Sequence, residues 1–419
     1  MLERNTINEL FGITESYEMP DRVMEILMDE KARMRCFNGI TKISPDMKED
    51  FFLNYYQEEH GDRKELKQDY TPDCVAALAS EMAGTAGTVA DICAGTGSLT
   101  IKMWLENPDA FFHCEEFSSR AIPILLLNLM IRNMSAEVVQ CDCLSGRIFE
   151  IYNLEPGPKF STISKAESPR NTYYDVVVTN PPYSLRWGEV DDFQNDKRFC
   201  FGITPKQYSD YAFIMHGLSK LKTGGILVAI VPHGVLFRGG KEQTIRRGII
   251  EAGYMNTIVG LPNNLFMNTG IPVCIMALKE DSSDLLFVDA SKYFDKHGKQ
   301  NVMNEEHIKK VLDVYLKRKY VQRYSVVATM QEVEENDYNL NIPRYVDTFI
   351  PEAAPDIVEV LESLHRIDKE IHDSEKKLLD MLLEMTGTTQ ESDRELKNAI
   401  EEYKNWMDDK YKKEVDDSC

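Results

Sequence analysis

Between about residues 85 and 290 the hydrophobic positions fall in short bursts. "GTVADI", "AFFHCE", "AEVVQCD", "YDVVVTN", "GILVAIVP", "YMNTIVGL", "VCIMALK" and "LLFVDAS" are rich in β-branched or apolar residues, and helical stretches separate them. Apolar strands alternating with helices predict an α/β fold, a mostly parallel sheet with helices on both faces. The segment "NLEPGPKFSTISKAESPRN" breaks the rhythm, and its Pro, Ser and charge predict a mobile loop. Residues 1–65 carry helical spacing in "PDRVMEILMDEKARM" and "MKEDFFLNYYQEE". Residues 66–290 form the predicted α/β domain, and 291–355 a mixed extension. The tail, 356–419, reads as helical. There Ile357, Leu364, Ile371, Leu378 and Met385 recur every seventh residue, with Val360, Ile367 and Met381 three further on and Ser374 the one polar member. That is a coiled-coil seam, ended by Gly387, and it predicts pairing with another long helix in this chain or a different one.

Composition narrows the function classes. Lys plus Arg is 48 against 69 Asp plus Glu, a formal net charge of −21. Phosphate contacts need clustered cations, so this chain is not expected to grip nucleic acid unaided. The basic stretches "RGGKEQTIRR" and "LKRKYVQR" read as solvated helix faces. The nine cysteines are scattered, and Cys141 with Cys143 lacks zinc-ligand spacing, so no metal is expected. "IPILLLNLMI" is too short to span a bilayer, and "MLERNTINEL" has no apolar signal core, so a cytoplasmic protein without a membrane partner is expected.

The chemistry lies at the strand ends, where open parallel sheets bind ligands. The first strand runs into Asp91 and the glycine turn Gly95-Thr96-Gly97. The second ends at Glu116, 19 residues after Gly97, the spacing of a carboxylate that holds ribose hydroxyls. The third ends at Asp142 and the fourth at Asn180. The turn lacks the third glycine of a dinucleotide fingerprint and has no phosphate-binding Lys, which favours a nucleoside without pyrophosphate. S-adenosylmethionine fits, with Glu116 on the ribose, Asp142 on the adenine amine, and Asp91 with the glycine turn at the methionine end. Asn180-Pro181-Pro182-Tyr183 then suits a planar amine acceptor. Such an amine is a poor nucleophile, and the Asn180 side-chain oxygen and the Pro181 carbonyl can accept its two N–H bonds. The prolines fix that carbonyl and add no competing donor. Tyr183 can stack on an extruded base. Upstream, Thr71 is a good N-cap and Pro72 suits the first helical position.

In this order of elements the sequence resembles amino-methylating DNA methyltransferases, and more closely the modification subunit of type I restriction–modification systems. The stretch that carries the likeness is "GGILVAIVPHGVLFRGGKEQTIRRGIIEAGYMNTIVGLPNNLFMNTGIPVCIMALK", followed by "LLFVDASKYF" and "YNLNIPRYVD"; it covers about residues 65–350. The resemblance implies a Rossmann-like methyltransferase sheet acting on adenine N6 in double-stranded DNA. Tyr70, Thr71 and Pro72 would border the cofactor, although Gln68 and Asp69 replace the Gly and aromatic residue usual before this element. Asp91, Gly95, Thr96 and Gly97 would form the cofactor loop, with Glu116 on its ribose, Asp142 on its adenine, and Asn180, Pro181, Pro182 and Tyr183 catalytic. It also implies a separate specificity subunit bound through the C-terminal seam, a second modification subunit, and a restriction subunit for cleavage. This chain has no G-x-x-x-x-G-K-[ST] loop of its own. The competing readings are a self-sufficient DNA methyltransferase, an enzyme acting on an RNA base or a glutamine amide, and a catalytically degenerate scaffold.

Overall fold

The computed structural model describes residues 4–53, 55–56, 71–170, 173–187, 193, 195–266, 270–298, 300–348 and 356–416. Two compact units result, residues 1–348 and 349–419.

The first unit is built on one sheet. β1 (Thr88–Asp91), β2 (Phe111–Glu116) and β3 (Ser135–Asp142) lie side by side and parallel. β4 (Arg147–Glu155) and β5 (Thr162–Lys165) continue that edge antiparallel. The chain then returns to the other flank of β1 as β6 (Tyr174–Thr179), which β7 (Leu221–Pro232) extends, both parallel. β8 (Met255–Gly260) comes next in sequence, but β9 (Val273–Lys279) inserts antiparallel between β7 and β8. β10 (Asp284–Asp289) runs parallel to β8. After the small separate hairpin β11 (Asp295–His297) and β12 (Gln300–Val302), β13 (Ser325–Thr329) closes the far edge antiparallel. The eight apolar bursts are thus all strands, and the central five are parallel; the antiparallel strands lie outside them.

The continuous apolar runs follow from burial on both faces. In β6, Val176 and Val178 join the core formed with the N-terminal helices and helix Ile122–Ile131, whereas Val177 joins the opposite core with helices Asp210–Leu218 and Lys241–Glu251. Helices Arg4–Phe11, Met19–Met28 and Glu30–Ile43 therefore share a core with the sheet.

Two expectations need correction. Much of "NLEPGPKFSTISKAESPRN" is β4 and β5 rather than loop, because Leu154 turns inward and is buried while the backbone pairs across the hairpin. The basic stretches are only in part solvated faces: Lys241, Arg247, Lys317 and Arg323 are exposed, but several cations are tied up. Arg238 pairs with Asp210 and Glu242, Arg318 with Asp284, and Lys317 and Lys319 with Asp313. Arg246 is fully buried and donates to the carbonyls of Tyr338 (2.7 Å), Val235 (3.0 Å) and Arg238 (3.0 Å). Arg246→Met keeps the stem but orphans carbonyls in the core. It is expected to cost about 3 kcal/mol, read as a lower urea midpoint with an unchanged slope.

Candidate active site

β1 and β6 are neighbours, yet the chain leaves β1 for β2 and β3 on one flank and returns to β6 on the other. This is a topological switch point, and the crevice beyond the strand ends here is where such sheets hold ligands. The loops that open into it are the two singled out from sequence, residues 91–97 and 180–183.

The first loop is tightly specified. Gly95 and Gly97 have φ of +57° and +98°, values that favour glycine, and a Cβ on Gly97 would stand 2.9 Å from Leu125 Cδ1. Glu116 reaches across from β2, accepting from Gly95 N at 2.8 Å and Ser118 N at 2.7 Å. Burial raises its pKa against these bonds. Asp91 is 1 % exposed, and burial pushes its carboxyl up to about 7. Thr100 Oγ1 donates to Oδ2 at 2.7 Å, but Oδ1 has no hydrogen-bond partner among the described residues. Asp142 accepts from Leu144 N (3.1 Å) and Ser145 N (3.3 Å), which shapes the turn into β4. Phe117, directly after Glu116, is exposed and meets Phe149 edge-on at 6.0 Å.

Asp50 was missed by the sequence reading. It is buried and accepts from Thr96 Oγ1 (2.5 Å), Ser98 Oγ (3.2 Å), Asn128 Nδ2 (2.9 Å) and Phe52 N (3.0 Å). Asn128, the lone polar residue of "IPILLLNLMI", also donates to Thr96 O at 2.8 Å. An amide inside an apolar helix was the signal, since a buried polar group requires a partner.

In the second loop, Asn180 is half-buried, Pro181 and Tyr183 are buried, and Tyr183 packs edge-on against Phe266 at 5.8 Å. With 5 % exposure, the Tyr183 ring must be uncovered before a base can stack on it. Asn180 Nδ2 donates to Thr71 Oγ1 at 2.9 Å. Thr71 therefore does not cap the next helix. That helix, Asp73–Ala83, has Pro72 at its N-cap without a side-chain bond, because the Thr71 hydroxyl is engaged by the amide across the crevice. Tyr70 lies outside the described residues.

A family model for N-6 DNA methylases matches residues 45–353. The chain belongs to the N-6 DNA methylase family. A type I restriction enzyme methylase subunit from Mycoplasma pneumoniae (MpnII) is 26 % identical over 348 residues, covering 78 % of this chain and 61 % of the relative. One from Methanocaldococcus jannaschii (MjaVII) is 33 % identical over 227 residues, 50 % and 38 % of the two chains. The chain thus spans about three-fifths or less of these two curated relatives. Among solved structures, the methyltransferase subunit of a type I restriction–modification system from Streptococcus thermophilus matches with TM-score 0.63 and 28 % identity, covering 82 % of this chain and 80 % of that one.

Behind the glycine loop the chain carries a buried charge cluster. Burial would raise the Glu115 carboxyl, but His216, His113 and Lys220 outweigh it and hold it well below the usual range. His216 Nε2 donates to Glu115 at 2.7 Å, and burial lowers the His216 pKa, keeping the ring neutral. Arg198 donates to His216 Nδ1 (2.9 Å), Cys143 O (2.6 Å) and Leu144 O (2.7 Å), pinning the segment after Asn180 to the turn after Asp142. Glu115, Cys143 and His216 offer ligand-type atoms within 4.8 Å of one another. Arg198 and Lys220 already supply positive charge there, and Arg198 can only donate to Nδ1, which leaves the Nε2 proton facing Glu115. That is a satisfied hydrogen-bond network rather than a cation cage. Trp187 stacks on Phe193 at 5.1 Å and meets Phe199 edge-on, and both Trp187 and Phe199 are buried. These aromatics pack together in the core.

Proposed function

We propose that this methylase transfers a methyl group from S-adenosylmethionine to the N6 amine of an adenine extruded from double-stranded DNA, as the modification subunit of a type I restriction–modification complex. The observation that carries this reading is the pair of loops at the switch point, with the Asn180 amide of Asn180-Pro181-Pro182-Tyr183 held across the crevice by Thr71.

The residues present fit S-adenosylmethionine. A buried Asp91 oxygen lacks a partner, the glycine turn admits close approach, and the Glu116 carboxylate faces the same crevice. When bound, the cofactor supplies an electrophilic methyl on a sulfonium. Asp91 with Gly95, Thr96 and Gly97 would hold its methionine end, Glu116 its ribose hydroxyls, and Asp142 its adenine amine, with Phe117 as an apolar surface beside the ring. Thr71 and Pro72 act on this site through Asn180 and the start of helix Asp73–Ala83. The Asn180 oxygen and the Pro181 carbonyl take the two N–H bonds of the target amine, which frees its lone pair for attack and aligns it.

Asp91 gives this reading a test independent of turnover. Its folded pKa is raised, so the stability it contributes is fully present below the ordinary Asp range and lost as pH rises through about 7. A cationic amino group bound beside it drives the proton off. Cofactor binding is expected to release about half a proton at pH 7 and more below it. Calorimetry in buffers of different ionisation enthalpy reads this, and Asp91→Asn abolishes it.

The net charge of −21 leaves the DNA grip to be borrowed. A specificity subunit, bound along helix Ile357–Leu383, is the proposed source. No residue of that helix is buried, and its contacts to helix Gln390–Asp416 use His372 and Glu375, outside the apolar seam. A second modification subunit and a restriction subunit complete the proposed assembly. No helix among the described residues is long and apolar enough to cross a membrane, and a cytoplasmic location is part of the proposal. Labelled methyl transfer to unmodified DNA is expected from the chain co-expressed with its specificity subunit and not from the chain alone. Activity from the chain alone would favour a self-sufficient enzyme.

A further inference from the structure

The turn that carries Asn180 is held at its far end by residues outside it. Immediately after Tyr183, Ser184 has φ +50°, a left-handed conformation that a non-glycine residue adopts only when its surroundings enforce it. The enforcing contact is Asp210, the first residue of helix Asp210–Leu218. Its Oδ1 accepts from Ser184 N at 2.8 Å, and the residue has no exposed surface. Its Oδ2 accepts from Arg238 Nη2 at 2.9 Å. Arg238 leaves the short helix Gly234–Phe237, just past β7. It is fixed in turn by Glu242, 3.1 Å away, and by the Tyr208 ring, 4.1 Å below its guanidinium. Gly234 makes room for it, since a Cβ there would stand 2.8–2.9 Å from the guanidinium.

We propose that Asp210, locked by Arg238, is a positioning residue for methyl transfer: its carboxylate holds Ser184 in the left-handed turn and so fixes where the Asn180 amide and the Pro181 carbonyl stand. The inference rests on the function proposed above. Among the described residues the Asp210 side chain bonds to Ser184 and Arg238 and to none of residues 91–97, so its influence travels through the backbone of residues 180–184. Arg238 decides which carboxylate oxygen faces Ser184 N. An amide in the same place, freed of that ion pair, can turn its NH₂ toward the N–H.

The test uses the chain with its co-expressed specificity subunit and unmodified DNA. The wild type and Asn180→Ala set the baseline. Asp210→Ala is expected to lower kcat by about 10²-fold, the cost of a small misplacement of reacting groups, with the KM for S-adenosylmethionine within about twofold. Adding Ser184→Gly, which makes positive φ accessible without the carboxylate, is expected to restore about tenfold of that loss. A carboxylate that merely stabilises the fold predicts no such rescue. Wild-type kcat in Asp210→Ala, a raised KM with kcat unchanged, or no rescue by Ser184→Gly overturns the positioning role. Should Asp210→Ala not fold, Asp210→Asn decides, with a kcat about tenfold low in support and a wild-type kcat against. An inactive wild-type complex, or an Asn180→Ala variant as active as the wild type, overturns the function reading and this inference together.

Discussion

Asn180→Ala is expected to lower methyl transfer by about 10²–10³-fold while cofactor affinity stays within a fewfold of wild type. The asymmetry follows from placement. The Asn180 side chain reaches Thr71 across the crevice, whereas the shape of the glycine loop is set by Glu116 and Asp50. Removing the amide deletes an acceptor needed when the target nitrogen begins to share its lone pair, and leaves the nucleoside pocket standing. Single-turnover transfer of labelled methyl measures the first effect and calorimetry the second. A parallel loss of cofactor affinity would make Asn180 a wall of the pocket instead of an acceptor for the target amine.

The second large effect concerns assembly. Leu364 and Ile371 are 53 % and 43 % exposed on helix Ile357–Leu383, and the other seam positions Ile357, Val360, Ile367, Leu378 and Met381 are exposed with them. Ser374, the one polar seam residue, bonds back to Glu370 O at 2.7 Å, so it makes no demand on a partner. Leu364→Glu with Ile371→Glu places two uncompensated charges in the seam. At on the order of 3 kcal/mol each, the pair is expected to weaken association with the specificity subunit by about 10⁴-fold and abolish co-purification. Lys369→Glu, outside the seam, serves as the charge control and is expected to leave the complex intact. Cofactor binding is expected to be unchanged in both. Co-purification that survives the double substitution would move the attachment site elsewhere.

The parallel core was legible because burial on both faces makes apolar runs, long in β6 (Val176 to Val178) and β7 (Ile226 to Val231) and only two residues long in β1, β2 and β3. The hairpin of β4 and β5 was not: β5, the edge strand, pairs through its backbone and has Ile163 as its one apolar residue. Pro156 and Pro158 fall in its connection and masked the strands on either side. At the candidate site, strand-end position singled out Asp91, Glu116, Asp142 and Asn180 as candidates without any knowledge of their partners. What the sequence hides is who holds them. Asp50 lies 46 residues before Thr96, Asp210 lies 26 after Ser184, and Thr71 lies 109 before Asn180. No local periodicity encodes such pairs. Thr71 looked like a cap because a cap is the commonest use of a Thr before Pro, and only the folded chain gives its hydroxyl to an amide instead.

The ties on Asp50 also bear on how the chain assembles during synthesis. Its side-chain partners beyond Phe52 are Thr96, Ser98 and Asn128, all made later by the ribosome. Until they emerge, burying this carboxylate beneath the N-terminal helices would strip its water and return almost nothing. The segment that carries Asp50 therefore waits, and its docking is completed only once helix Ile122–Ile131 is free to fold. Closing the glycine loop and seating the Asp50 segment become one late event, so nascent chains halted before residue 128 lack both.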